Sequence, residues 1–180
     1  MTDETALLKR AQAYDPAALT ELYNRYAPRI YAYLYRRVGD ALLAEDLTGE
    51  LFLRVLRAIR NEQAWQSSFV AWLYRIAHNL AVDHYRQRTS KSTFSLDEAL
   101  VAPEGNPAAE AEEALARERL QAAIGRLTPE QQGVLALRFG EGLTARETAR
   151  IMGKTTGAVE ALQHRALAAL RRILAGDALS

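Results

Sequence analysis

The chain has 180 residues, 49% hydrophobic and 25% charged, with a formal net charge of +1. That length allows one mid-sized domain or two small ones, and no apolar run approaches the roughly 18 residues of a membrane-spanning helix. Cysteine is absent, which excludes disulfide staples, thiolate metal sites and thiol nucleophiles together.

The opening MTDETALLKR carries acids and lacks the apolar stretch of a secretory leader, so a cytoplasmic address is expected. Asp15-Pro16 reads as a helix N-cap followed by proline at the first helical position. Leu19, Leu22, Tyr23, Tyr26, Ile30, Tyr33 and Leu34 then recur at spacings of three and four, the core face of a helix. Pro28 predicts a division or a kink in that run. Gly39-Asp40 ends it and starts a second helix through Leu43, Leu47, Leu51, Val55 and Ile59. Asn61 to Gln66 is polar and breaks the pattern. Ser67 or Ser68 can cap a third long helix through Phe69, Trp72, Leu73, Ile76, Leu80 and Val82.

Residues 89–109 gather Ser, Thr, Pro and Gly with acids, a linker composition. Charge follows the same division. Residues 1–69 balance to zero, and 70–91 hold Arg75, Arg86, Arg88 and Lys91 against Asp83 alone. Residues 92–113 hold six acids and no Lys or Arg, whereas 114–180 hold ten bases against six acids. Two basic segments around an acidic one suggest two surfaces that face a polyanion and a connector that does not. Solvated helices show such imbalances too.

Beyond the linker, Thr128-Pro129-Glu130-Gln131 and Thr144-Ala145-Arg146-Glu147 are both capping boxes. The first opens a helix through Val134, Leu135 and Leu137 that stops near Gly140. The second opens a short helix that Gly153 ends. Thr155 or Thr156 can cap a last helix, with Val159, Leu162, Ala166, Leu170 and Ile173 on one face. A short helix, a glycine turn and a longer Arg-bearing helix have the layout of a helix-turn-helix, whose second helix enters the DNA major groove. An ordinary helical hairpin with a solvated basic face is the plainer reading. Strand alternation is nowhere sustained, so the fold class is all-α.

Three stretches resemble the extracytoplasmic-function sigma factors of bacterial RNA polymerase. Ala44-Glu45-Asp46-Leu47-Thr48-Gly49-Glu50-Leu51-Phe52-Leu53-Arg54-Val55 is similar to the polymerase-docking helix of sigma region 2. Phe69 to Asp83, FVAWLYRIAHNLAVD, resembles the segment that engages the −10 promoter element. Leu135 to Arg172 resembles region 4, whose helix-turn-helix reads the −35 element. With Leu19-Thr20-Glu21-Leu22-Tyr23, the resemblance runs over nearly the whole chain, in the right order.

The resemblance implies two small helical domains, residues 1–90 and 114–180, joined by an acidic linker over 91–113. It implies a factor without a catalytic site or cofactor, which binds core RNA polymerase, recognises promoter DNA and helps to open it. Docking would fall to Glu45, Asp46, Leu47, Phe52 and Arg54, with bundle core the plainer reading of Leu47, Leu51 and Val55. Gly49 stands where the family usually has glutamine. A loop over Asn61 to Ser67 and Asn79 would capture an unstacked −10 base, whose edge an amide can read, unless Asn79 instead braces the loop. Arg75, Arg86 and Arg88 would hold phosphates. Trp72 and Tyr74 are stacking platforms or, at helical spacing, core. His78 stands where the family often has a basic residue, and a neutral imidazole there would weaken one phosphate contact.

In region 4 the recognition helix would start at Thr156, with Glu160, Gln163 and His164 as base readers and Arg146, Lys154, Arg165, Arg171 and Arg172 on phosphates. Many relatives have a basic residue, a serine and an arginine where this chain has Glu160, Ala161 and Leu162. Glutamate accepts from cytosine whereas arginine reads guanine, so the −35 preference should differ, unless Glu160 turns aside to Arg165 or Lys154. The linker would either mimic nucleic acid near the polymerase cleft or serve as a plain tether. An anti-sigma factor that wraps both domains is a further implied partner. Competing readings are a helix-turn-helix regulator without sigma activity and an adaptor that holds polymerase but reads no promoter. An enzyme is disfavoured, because His78, His84 and His164 are dispersed and no phosphate loop or nucleophile elbow appears.

Overall fold

The computed structural model of the chain describes residues 3–61, 65, 68–87 and 106–177. Among these lie eight α-helices and no strand. They are α1 (Asp3–Gln12), α2 (Pro16–Val38), α3 (Ala41–Arg60), α4 (Phe69–Gln87), α5 (Pro107–Gly125), α6 (Pro129–Leu135), α7 (Ala145–Met152) and α8 (Thr156–Asp177). A π-helical turn over Ala136–Gly140 continues α6. No helix among the described residues is long and apolar enough to cross a membrane.

The punctuation read from the sequence is visible as hydrogen bonds. The Asp15 carboxylate accepts from the Ala17 N–H at 3.0 Å. Gly39 ends α2 in the left-handed region at φ 70°, and Asp40 restarts the chain by accepting from the Leu43 N–H. Thr128 with Gln131 and Thr144 with Glu147 form reciprocal capping boxes. Of the two candidate serines, Ser68 accepts from the Ala71 N–H at 3.2 Å.

One expectation needs correction. Pro28 does not divide α2, which runs unbroken from Pro16 to Val38. Leu22, Tyr26, Ile30, Tyr33 and Leu34 are buried on both sides of it, so packing holds both parts of the helix to one core despite the missing hydrogen bond. Within the segment expected as linker, residues 107–113 are helical as the start of α5, capped by Asn106 with Pro107 at its first position. An additional helix, α1, precedes Asp15. It docks through Leu7 and Ala11 and through a hydrogen bond from the Tyr26 hydroxyl to Glu4. Burial first, and then that carboxylate, push the Tyr26 phenol up to about 12.

Helices α1 to α4 enclose one core, with Leu22, Ile30, Leu34, Leu51 and Leu73 all but sealed from solvent and Tyr33 and Tyr74 edge to face at 5.3 Å. The second half has a smaller core of Leu127, Val134, Leu135, Ala149, Val159, Leu162 and Ala166. In α5 only Ala123 is buried.

The two halves are in contact, α7 lying along α4. Leu137 and Ile151, from the second half, sit inside the first half's core, where burial of each stabilises by about 1.5–3 kcal/mol. Glu141 follows the π-turn and reaches across. Its carboxylate accepts from the Tyr74 hydroxyl at 2.6 Å, from Arg36 at 2.5 Å and from Arg29 at 3.3 Å. Burial, then this bond, raise the Tyr74 phenol well above its ordinary range. Arg37 is only 2% exposed. It donates to the Tyr33 hydroxyl at 2.8 Å and, more weakly at 3.4 Å, to His78 Nδ1 and the Pro129 carbonyl. The Tyr85 hydroxyl donates to Gln132 Oε1 at 2.9 Å.

Candidate nucleic-acid and polymerase interface

Three exposed helical faces carry the expected site residues. On α3, Glu45 and Asp46 point to solvent, and Arg54 is exposed but paired with Glu50 at 2.6 Å. Leu47 is half-buried against the core. Phe52 is buried, its ring edge to face with Tyr23 at 4.8 Å. The outward face therefore offers charges, while Leu47 and Phe52 position the helix. Leu42 and Leu53, 75% and 54% exposed, share the strip with Asp46 and Gly49 at spacings of four, three and four. Sequence reasoning passed over both, since a leucine at helical spacing reads first as core. Nothing lies within 4 Å of a side chain added at Gly49.

On α4 the buried side comprises Phe69, Leu73, Tyr74, Ala77, His78, Leu80 and Ala81. Arg75, Asn79 and Arg86 are exposed. At 100° per residue they fall within about 40° of one another, a single stripe along the helix. The Asn79 side chain makes no hydrogen bond among the described residues. Arg88 and most of the Asn61 to Ser67 loop lie outside the described residues. Tyr74 is core, and Trp72 is half-buried, packed with Trp65 and Phe69 at the edge of the core.

His78 does not share the exposed stripe of Arg75, Asn79 and Arg86. Its ring is buried under Gly133 and beside Arg37. Desolvation first, then the nearby Arg37 and Lys154 charges, lower its pKa to about 3, so the imidazole stays neutral. As Arg37 donates to Nδ1, the ring proton belongs on Nε2.

On α8, Thr155 caps the start by accepting from the Ala158 N–H at 3.1 Å. Thr156, Glu160, His164 and Arg165 are exposed, with Thr156, Glu160 and His164 four apart on one face. Glu160 forms no ion pair among the described residues, and Lys154 is engaged by Glu130 at 3.2 Å instead. Gln163 is half-buried, accepting from Arg138 Nε at 2.8 Å. Arg138 also donates to the Leu143 carbonyl, so it ties the loop before α7 to helix α8. Nothing in the local sequence marked it. Arg146 is exposed on α7. Among the described residues no group of three or more His, Cys, Asp or Glu side chains could hold a metal ion. The arrangement suits binding of an extended polyanion by helix faces.

Residues 22–91 match the family model of Sigma-70 region 2, and residues 123–172 that of Sigma-70, region 4. The ECF RNA polymerase sigma factor BldN of Streptomyces coelicolor is 42% identical over 174 residues, which cover 96% of this chain and 66% of that protein. The chain thus spans slightly less than two thirds of that relative's length. SigD of Mycobacterium tuberculosis, also an ECF RNA polymerase sigma factor, is 34% identical over 181 residues, covering 96% of this chain and 85% of SigD. Among solved structures, CnrH in complex with the cytosolic domain of CnrY superposes with a TM-score of 0.70 at 24% identity, covering 96% of this chain and 97% of the other. That likeness is one of fold.

Proposed function

Since the chain belongs to the ECF sigma factors of RNA polymerase, we propose that it is an alternative sigma factor. It binds core polymerase, directs it to particular promoters and helps to open the DNA, with the catalysis left to the polymerase and no cofactor of its own. The observation that carries this reading is the pair of exposed stripes, Arg75, Asn79 and Arg86 on α4 and Thr156, Glu160, His164 and Arg165 on α8. They lie in one chain, within the segments that match regions 2 and 4.

The roles divide along the chain. Residues 1–90 dock and engage the −10 element, 114–180 read the −35 element, and 91–113 connect them. Glu45, Asp46 and Arg54 supply charged contacts on α3, with Leu42 and Leu53 as the apolar ones, a mixed helix-face interface. Leu47 and Phe52 hold that face in place. Asn79 reads a flipped base, while Arg75, Arg86 and Arg88 hold the displaced strand. Thr156, Glu160 and His164 face base edges, and Arg146, Lys154 and Arg165 face phosphates. Gln163 serves this helix through Arg138. We also propose an anti-sigma partner and a cytoplasmic address; CnrH, of like fold, is seen with the cytosolic domain of another protein.

Run-off transcription with sigma-free core polymerase tests the reading. A transcript that appears only when this protein is added supports it. DNA binding without a transcript would mark a helix-turn-helix regulator, and polymerase binding without promoter preference would mark an adaptor. Within the reading, Asn79→Ala should weaken open-complex formation more than closed-complex binding. Equal loss at both steps would assign Asn79 to scaffolding.

A further inference from the structure

A cavity beside the end of α2, walled by α5, α6 with its π-turn, and α8, takes no part in the roles assigned above. Its volume is about 420 Å³, within the roughly 300–1,000 Å³ of small-molecule sites. Leu120 and Ile124 of α5, Phe139 of the π-turn, and Leu167 and Leu170 of α8 make most of the wall apolar. Arg36 and Arg37 complete it, and no carboxylate lines it. Gln132 lines it too, but its amide is already used, donating to the Leu127 carbonyl and accepting from Tyr85.

Arg37 is the unusual member of this wall. It is 2% exposed and forms no ion pair among the described residues. Its bonds to Tyr33, His78 and Pro129 are all to uncharged groups. They use both N–H groups of Nη1 and one of Nη2, which leaves one on Nη2 and the Nε–H, and Nε is buried without a partner. The nearby carboxylate of Glu141 is committed to Arg29, Arg36 and Tyr74. A buried guanidinium without a counter-ion is costly to keep, and here it stands against an apolar cavity.

We propose that this cavity binds a small carboxylate with an unbranched apolar chain, its head toward Arg37 and its chain toward Leu120 and Phe139. The head supplies the counter-ion that Arg37 lacks and two acceptor oxygens for its remaining donors. The chain covers apolar surface that otherwise faces water, since Leu120 is 40% and Phe139 61% exposed. Other chemistries fit less well. Two guanidinium groups repel a cation. A neutral hydrocarbon leaves the Arg37 charge uncompensated. A nucleotide or sugar needs polar partners that these walls do not offer. The site goes beyond the sigma-factor reading and stands or falls without it.

Calorimetric titration of the full chain with dodecanoate, below its micelle concentration, tests the site. One molecule should bind per chain. Shortening the chain should weaken binding by roughly fourfold per methylene, so butyrate should give no measurable heat. Dodecanol should bind about ten- to a hundredfold more weakly than dodecanoate, the loss expected for bonds to a charged partner, and dodecyltrimethylammonium not at all. Arg37→Gln, which removes the charge and keeps a donor, should bring dodecanoate down to the affinity of dodecanol and leave dodecanol where it was. A purely structural Arg37 would not move that ratio. Leu120→Glu, at the rim, should abolish dodecanoate binding by supplying a carboxylate from the chain itself, whereas Leu120→Met should keep it. This second pair decides the matter if Arg37→Gln does not fold. Equal affinity for dodecanoate and dodecanol, or undiminished dodecanoate binding in Leu120→Glu, would overturn the site. Retention on phosphatidylglycerol vesicles without uptake of free dodecanoate would overturn it as well, and would assign the patch to a membrane surface. None of these readouts involves polymerase or promoter, so a chain that binds dodecanoate and yields no transcript would count against the sigma-factor reading alone.

Discussion

The halves of this molecule differ in how they obtain a core. The first draws four helices around residues it supplies itself: Leu22, Ile30, Tyr33, Leu34, Leu51, Leu73 and Tyr74 are essentially sealed. The second has a small cluster of its own, a nearly naked α5, and an eight-residue α7. A helix that short is marginal without tertiary support. Two of its best-buried apolar side chains, Leu137 and Ile151, lie not in its own cluster but in the first half's. The second half therefore takes part of its stability from the first.

The strongest way to break this comparison is to truncate each core. Leu34→Ala, at a fully buried site in α2, should destabilise by about 2–5 kcal/mol and lower protection in both halves, since the second leans on the first. Leu162→Ala should lower protection in α5 to α8 alone. Native-state hydrogen exchange reads both. Loss in α1 to α4 on truncating Leu162 would mean that the halves fold as one unit.

A change of similar size concerns recognition rather than folding. Replacing Glu160, exposed and unpaired among the described residues, by arginine should shift the −35 preference by about 1–3 kcal/mol per altered base contact. Polymerase affinity should stay as it was, because α3 is untouched. Promoter mapping for the two proteins makes the measurement. An identical promoter set would remove Glu160 from the base readers.

Acid should act on the joint before it acts on either core. His78 has its folded pKa lowered to about 3 by burial and by the Arg37 and Lys154 charges, and Lys154 comes from the second half. Exposed, it would titrate near 6.5. Below that value the unfolded chain takes up a proton that the folded one refuses, so stability falls as pH falls from about 6.5 toward 3. The loss between pH 7 and pH 5 is about 2 kcal/mol. The melting temperature should fall over that range, and His78→Gln should flatten the profile. A flat profile in the unsubstituted chain would mean that folding does not bury His78.

Why these features differ in legibility follows from how far apart their causes lie. The caps of α2, α3, α6 and α7 are tetrapeptide signals, and each was readable because donor and acceptor are at most three residues apart. The exposed stripe of Arg75, Asn79 and Arg86 followed from helical spacing together with family resemblance. Pro28 misled because the local rule lost to packing on both sides of it. Helix α1 was missed because only Leu7 and Ala11 are buried along it, too few to make a period. His78 looked like a surface residue because nothing near it in the chain shows that Gly133 covers it. Glu141 was invisible for the same reason, its partners Tyr74, Arg36 and Arg29 being 67, 105 and 112 residues away. What the sequence hid was the joint between the halves.

The smallest expected effect is also the most discriminating between them. Thr144→Ala removes the cap of α7, where the hydroxyl accepts from the Glu147 N–H at 3.2 Å and Glu147 returns a bond to the Thr144 N–H at 2.7 Å. Loss of such a cap destabilises by about 1 kcal/mol. Asp40→Ala removes a cap of the same kind from α3, a helix of 20 residues against the eight of α7 and fixed to the core through Leu51, Val55 and Ile59. Similar chemistry is lost at both sites, but α7 is the helix that lies along α4, so fraying it should loosen the joint as well as the helix. Thr144→Ala should therefore lower hydrogen-exchange protection where α7 meets α4, with Thr144→Ser restoring it, whereas Asp40→Ala should lower the melting temperature and leave that protection alone. If the two substitutions moved it equally, α7 would not be the element that joins second-half stability to the first half, and the dependence of one half on the other would have to run through Leu137 and the π-turn.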